Sequence, residues 1–97
     1  MRIIAIKTLK DFWEDYPDSG EALKSWYAVT KKADWKSTAE VKETYGNASI
    51  LQEGRVVFNI AGNKYRLIVW INYPHRVVYV RFVGTHKQYD KIDAQEV

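Results

Sequence analysis

RVVFNI (55–60), KYRLIVWINY (64–73) and RVVYVRFVG (76–84) are three runs dense in β-branched and aromatic residues, separated only by AGN (61–63) and PH (74–75). Side chains of this kind suit a pleated, half-buried surface, and the separators suit hairpin turns. The spacing predicts a three-stranded antiparallel meander. Side chains alternate across a strand with period two. Tyr65, Leu67, Val69, Ile71 and Tyr73 then share one face with Val56, Phe58 and Ile60, and with Val78, Val80 and Phe82. That face is the expected core. The other face carries Arg55, Val57, Asn59, Arg66, Ile68, Trp70, Val77, Tyr79 and Arg81.

Upstream, Arg2 to Ile6 is rich in Ile and is expected to be a first strand. Thr8, with Asp11 three residues on, offers a capping pair for a first helix, and Leu9, Phe12, Trp13 and Tyr16 fall on one helical face. Pro17 should end it. Asp18 is placed to cap a second helix whose stripe is Ala22, Leu23, Trp26, Tyr27 and Thr30. Trp13, Trp26 and Tyr27 are expected in the core, whereas Trp35 fits either the connector or a partner. STAEVKETYG (37–46) suggests a short helix capped by Ser37 or Thr38 and stopped at Gly46, followed by a loop in NASILQEG (47–54). Downstream, Thr85 with Gln88 marks the start of a short terminal helix. The expected fold is α+β, in the order β-α-α-β-β-β: an antiparallel sheet, a two-helix hairpin on one face, and a C-terminal helix. Residues 1–97 are expected to form a single domain.

The chain has no cysteine, which excludes a disulfide framework and a thiolate metal site. Its N-terminal apolar run is too short for a signal segment or a membrane span, so the expectation is a cytoplasmic protein with no membrane partner. The net charge of +3 is unevenly spread: residues 55–91 hold seven Lys/Arg against one acid, Asp90. A polyanion is the partner such a segment suits. Burying an unpaired guanidinium costs several kcal/mol. Arg66 and Arg81, mid-strand on neighbouring strands, therefore need solvent or an anion, and their forks fit phosphate oxygens.

His86, Tyr89 and Asp90 stand at i, i+3 and i+4 of the terminal helix, on one face. Histidine exchanges its proton near neutrality. Cleaving RNA without a metal uses the ribose 2′-hydroxyl as nucleophile, cations to hold the phosphorane, and an acid for the departing 5′ oxygen. Arg66 and Arg81 suit the cations and His86 the acid. Asp90 would orient His86, and Tyr89 would stack on a base or take part in proton transfer. His86, Tyr89 and Lys64 all remain open as the general base. Lys64, Asn63, Asn59 and Lys87 are expected to contact RNA around them. No carboxylate pair accompanies them, so neither a metal nor any other cofactor is expected. His75 is expected to be a turn residue only.

The blocks FNIAGNKYRL (58–67) and VRFVGTHKQYD (80–90), with ADWKSTAEVKETYGNAS (33–49), closely resemble the HigB toxins of bacterial toxin–antitoxin systems, within the RelE-like mRNA interferases. The resemblance implies a ribosome-dependent endoribonuclease acting on mRNA. It also implies neutralisation by a HigA-type helix-turn-helix antitoxin, with DNA contacted only through that complex. It implies that Arg66, in KYRL, contacts the scissile phosphate, that His86 is acid or phosphate ligand, and that Tyr89 stacks on the mRNA base. One feature departs from the pattern: RelE proteins place lysines on the strand before the turn, where this chain has Val57 and Asn59. The rival reading is a non-catalytic RNA- or ribosome-binding module. A transcription factor is disfavoured because neither predicted helix carries a basic recognition face.

Overall fold

A computed structural model describes residues 1–97. The order is β1 (Arg2–Ile4), α1 (Ile6–Asp15), a 3₁₀ turn (Pro17–Ser19), α2 (Gly20–Lys32), α3 (Thr38–Thr44), β2 (Ser49–Ile50), β3 (Arg55–Ile60), β4 (Tyr65–Asn72), β5 (Val77–Thr85) and α4 (His86–Tyr89). The five strands form one sheet in the order β1-β5-β4-β3-β2. The β3-β4-β5 meander is antiparallel as expected, but the sheet as a whole is mixed, because β1 lies parallel to β5. Residues 49–50, expected within a loop, add a short antiparallel edge to β3. Both edge strands are short, which limits the unpaired backbone open to another chain.

The core lies between the helices and one sheet face. Leu9 of α1, Leu23 and Trp26 of α2 and Val41 of α3 bury against Val56, Phe58, Ile60, Tyr65, Leu67, Val69, Ile71 and Val78. Phe58 is the aromatic hub: Trp26 and Tyr45 meet it edge-on, at 5.5 and 5.2 Å between centroids, and Trp35 stacks on it at 6.3 Å. Trp35 is thus a core residue, with its Nε1–H donated to Thr44 Oγ1 at 3.2 Å. Trp13 and Tyr27 pack at the margin of the same core.

Two expected caps are not formed. α1 begins at Ile6, directly after β1, so Thr8 lies inside the helix, and the Asp11 carboxylate is taken by Lys7 at 2.8 Å. Asp18 does not cap α2. It reaches across to the sheet, accepting from the Tyr65 hydroxyl and from Lys64 Nζ (3.2 Å). The Tyr65 hydrogen bond is the main cause that holds the Asp18 carboxyl below the usual carboxylate range, and the same bond pushes the Tyr65 phenol up to about 12. The caps at Ser37 and Thr85 form as expected, the latter a complete capping box with Gln88.

The register of β5 departs from simple alternation. Val80 pairs with Val69, but Phe82 pairs with Ile68, so Arg81 is an extra residue, a β-bulge. The bulge moves Phe82 off the expected core face and onto that of Arg66 and Ile68, and Val83 takes its place against the core. The face without helices is also less open than expected. Ile68 is 0 % and Val57 3 % exposed. After α4 the chain returns along this face: Gln95 Oε1 accepts from the Gln52 N–H at 3.0 Å, and the Val97 main-chain oxygen accepts from Arg55 and Arg81.

Candidate nucleic-acid interface

The start of β4 and the end of β5 are neighbours in the meander, and α4 is pinned across them. The His86 N–H donates to Lys64 O at 3.1 Å. Thr85 Oγ1 accepts from the Gln88 N–H at 3.1 Å, and Gln88 Oε1 accepts from the Thr85 N–H at 2.8 Å. Gly84 makes room for this. A Cβ there would stand 2.5 Å from Phe82 Cζ and 2.8 Å from Gln88 Oε1. Glycine is required here for space, since its φ is not left-handed.

Arg66 lies opposite Gly84 on β5 and opposite Asn59 on β3. Its Nη1 donates to the main-chain oxygens of Asn63 (3.1 Å) and Tyr65 (3.2 Å). Its Cζ lies 5.8 Å from the Tyr89 ring centroid, a cation–π distance. Both acceptors are neutral, and no carboxylate comes within ion-pair distance of Arg66. The guanidinium is half-exposed with its charge uncompensated. His86 Nδ1 stands 3.1 Å from Asp90 Oδ2, and both side chains are exposed. A proton on Nδ1 donates to that carboxylate and leaves Nε2 open to solvent. Lys87 is exposed on the same short helix.

The structure therefore sets Arg66 against Tyr89, with Asn63 and Asn59 beside Arg66, and pairs His86 with Asp90 on the single turn that carries Tyr89. It does not bring Arg81 to them. Arg66 turns toward the β3–β4 hairpin, whereas Arg81, on the bulge, turns the other way, with its Nε 3.4 Å from Val97 O. Arg81 shares a recess with Arg55, Trp70 and Glu53. Lys64 is also diverted: its ammonium is held by Asp18, on the side of the helices. Phe82 and Gly84, which set where α4 sits, escaped sequence reasoning because the bulge hides their face. His75 is exposed in the β4–β5 turn. No group of three His, Cys, Asp or Glu side chains gathers as a metal cluster. No helix is long and apolar enough to cross a membrane.

The α+β fold, a mixed sheet backed by helices with a short C-terminal helix beside Arg66, is consistent with the RelE-like toxin fold. Residues 19–92 match the HigB_toxin family, the RelE-like toxic component of a toxin-antitoxin system, and the chain belongs to that family. It is 28% identical over 94 residues to the mRNA interferase HigB of Escherichia coli O6:H1, covering 95% of this chain and 91% of that protein. The mRNA interferase toxin HigB of E. coli K12 is 29% identical over 92 residues, covering 93% and 88% of the two chains. The mRNA interferase HigB of Shigella flexneri shows the same identity and coverage. As the toxic component of such a system, the chain has an antitoxin as its counterpart.

Proposed function

We propose that this toxin is an mRNA endoribonuclease that cuts without a metal, on the ribosome, and so arrests translation. The observation that carries this reading is the grouping of Arg66, Tyr89 and the His86–Asp90 pair on one exposed edge. The relatives named as mRNA interferases support the substrate class. In the reaction, the ribose 2′-oxygen attacks the adjacent phosphorus as the bond from phosphorus to the 5′ oxygen breaks. The products are a 2′,3′-cyclic phosphate and a free 5′-hydroxyl. Arg66 holds the non-bridging oxygens and stabilises the charge of the phosphorane. His86, protonated on both nitrogens with Nδ1 directed to Asp90, gives its Nε2 proton to the departing 5′ oxygen. Tyr89 stacks on a neighbouring base. Asn59, Asn63 and Lys87 bind the strand on either side. With Lys64 paired to Asp18, Tyr89 is the candidate left to accept the 2′-hydroxyl proton, and Tyr89→Phe separates that role from stacking.

The site's openness supports a dependence on the ribosome. His86 and Asp90 are more than half exposed, and the edge has no deep cleft to orient a flexible RNA. A strand already held in a decoding centre supplies that orientation. The counterpart is read as a HigA-type helix-turn-helix antitoxin, through which alone the complex meets DNA, and the toxin's compartment as the cytoplasm.

The test is cleavage of a translated transcript, mapped by primer extension, alongside RNA affinity. His86→Ala and Arg66→Ala should each lower the cleavage rate about 10²–10⁴-fold. His86→Ala should leave affinity nearly unchanged. If both variants keep growth arrest and cleavage intact, the chain is a binding module and the catalytic reading is wrong.

A further inference from the structure

The molecule's one recess does not lie at the Arg66–His86 edge. It lies farther along the same sheet face, has a volume of about 450 Å³, and is lined by Glu53, Arg55, Trp70 and Arg81. That size falls in the ordinary range for small-molecule sites. Trp70 stands four residues beyond Arg66 on β4, on the same face, which is about 13 Å at the usual rise of a strand.

The recess is built rather than incidental. Trp70 is backed by Tyr79, stacked at 5.0 Å with the planes 28° apart. Its edge is held by Gly54, whose φ of +83° lets the loop close in: a Cβ there would stand 3.0 Å from Trp70 Nε1. The Gly54 oxygen accepts from the Ile71 N–H at 2.8 Å, which fixes the loop to β4. The bulge turns Arg81 into this space. Arg55 and Arg81 both donate to one acceptor, the Val97 main-chain oxygen, and neither has an Asp or Glu carboxylate at ion-pair distance. Two guanidinium groups already converge on one oxygen of Val97, and a pair of such forks suits an anionic oxygen. A flat indole next to such a position suits a base. The Glu53 carboxylate is an acceptor for the base's N–H groups or a ribose hydroxyl.

We propose that this recess is a second RNA-anchoring site. It takes one nucleotide of the strand engaged at the Arg66 edge, with the phosphate on Arg55 and Arg81 in place of the Val97 oxygen and the base against Trp70. The proposal rests on the reading of this toxin as an RNA-acting protein. It makes the segment after α4 a strap that yields to the strand.

Adenosine 5′-monophosphate is the direct probe, with the full chain labelled on nitrogen. Millimolar nucleotide should shift the Trp70 Nε1–H signal saturably, and Arg55→Gln and Arg81→Gln should each weaken that binding about tenfold. Both arginines sit at the surface, so neither change threatens the fold. A 2′-deoxy-substituted RNA strand, which cannot be cut, tests whether the nucleotide belongs to the substrate. Its salt-dependence slope should fall by about 0.7 for each arginine lost. A Trp70 signal that stays still while the signals of residues 86–90 move would overturn the site. A double Arg55→Gln/Arg81→Gln variant with unchanged strand affinity and slope would also overturn it. His86→Ala keeps the two readings apart. It should lower cleavage about 10²–10⁴-fold and preserve the Trp70 shift, and undiminished cleavage there would count against the catalytic site while leaving the recess to be judged by Trp70.

Discussion

Gly84→Ala should cripple the toxin while leaving its fold nearly intact. The new methyl would stand 2.5 Å from Phe82 Cζ, 3.0 Å from Phe82 Cε1 and 2.8 Å from Gln88 Oε1. Carbon atoms rest about 3.5–4.0 Å apart, so the ring must retreat by roughly 1 Å or more. Gln88 cannot move aside without giving up its bond to the Thr85 N–H, one half of the capping box. Overpacking of this kind costs about 1–3 kcal/mol, and loss of a cap about 1 kcal/mol. The strain falls on α4, a single turn that contributes nothing fully buried. Together these come to about 2–4 kcal/mol, and each 1.36 kcal/mol is a factor of ten, so local opening of α4 should rise about 30- to 900-fold. Amide exchange reads this at His86, whose N–H is bonded to Lys64 O, and at Asp90, bonded to His86 O. Cleavage should fall to the extent that the opened form comes to outweigh the closed one, with the urea midpoint almost unmoved. Phe82→Leu removes the ring tip and should restore part of the loss in the double variant, a coupling that independent sites would not show. Unchanged exchange at His86 together with full activity would mean that the methyl is accommodated without strain on α4. A global destabilisation as large as the local one would instead place the strain in the sheet.

Phe58→Ala removes the ring that Trp26, Trp35 and Tyr45 surround and should cost about 3–5 kcal/mol in urea unfolding. Asp18→Asn should destabilise the protein near neutral pH, and the difference should shrink in acid. The folded Asp18 carboxyl is depressed, so its contribution is present above the unfolded carboxylate pKa and lost as pH falls through the lower folded value, which paired acid titrations of the two proteins will show. At the alkaline end the Tyr65 contribution should hold below pH 10 and fade as pH rises through about 12, readable by the phenolate absorbance. Asp90→Asn should lower cleavage by about tenfold or less, since the His86–Asp90 pair is exposed, and should leave RNA affinity unchanged in a binding titration.

The meander was legible because three apolar runs with turn residues between them leave little freedom for any other arrangement, and the Thr85–Gln88 cap was equally plain. Other features were hidden because they depend on partners distant in sequence. Asp18 has the spacing of a helix cap, but Tyr65 and Lys64, more than forty residues away, offer it a hydroxyl and a cation together. Thr8 failed as a cap because β1 runs straight into α1 and Lys7 captures Asp11. The parallel placement of β1 leaves no mark in a strand of three residues. At the candidate site, Arg66, His86, Tyr89 and Asp90 were recoverable from local spacing. The course of residues 90–97 past Gln52, Arg55 and Arg81 was not, because nothing in that polar segment announces which surface it follows.

The bulge at Arg81 decides how the basic face is divided. Strict alternation puts Arg66 and Arg81 on one face and Phe82 beneath the helices, which leads to a single site with two arginines. The run VYVRFVG cannot reveal the error, since Val, Phe and Val at 80, 82 and 83 satisfy a core in either register. One extra residue keeps Val80 and Val83 on the core, sends Phe82 over Gly84, and turns Arg81 toward Arg55. The same insertion thus does two things. It builds the ring-and-glycine seat for α4, whose Tyr89 lies against Arg66 and whose His86 pairs with Asp90. It also supplies the second guanidinium of the Trp70 recess. Deleting Arg81 should damage both by restoring plain alternation, whereas Arg81→Gln keeps the extra residue and should weaken the recess alone, leaving the exchange of the His86 amide as it is in the parent protein.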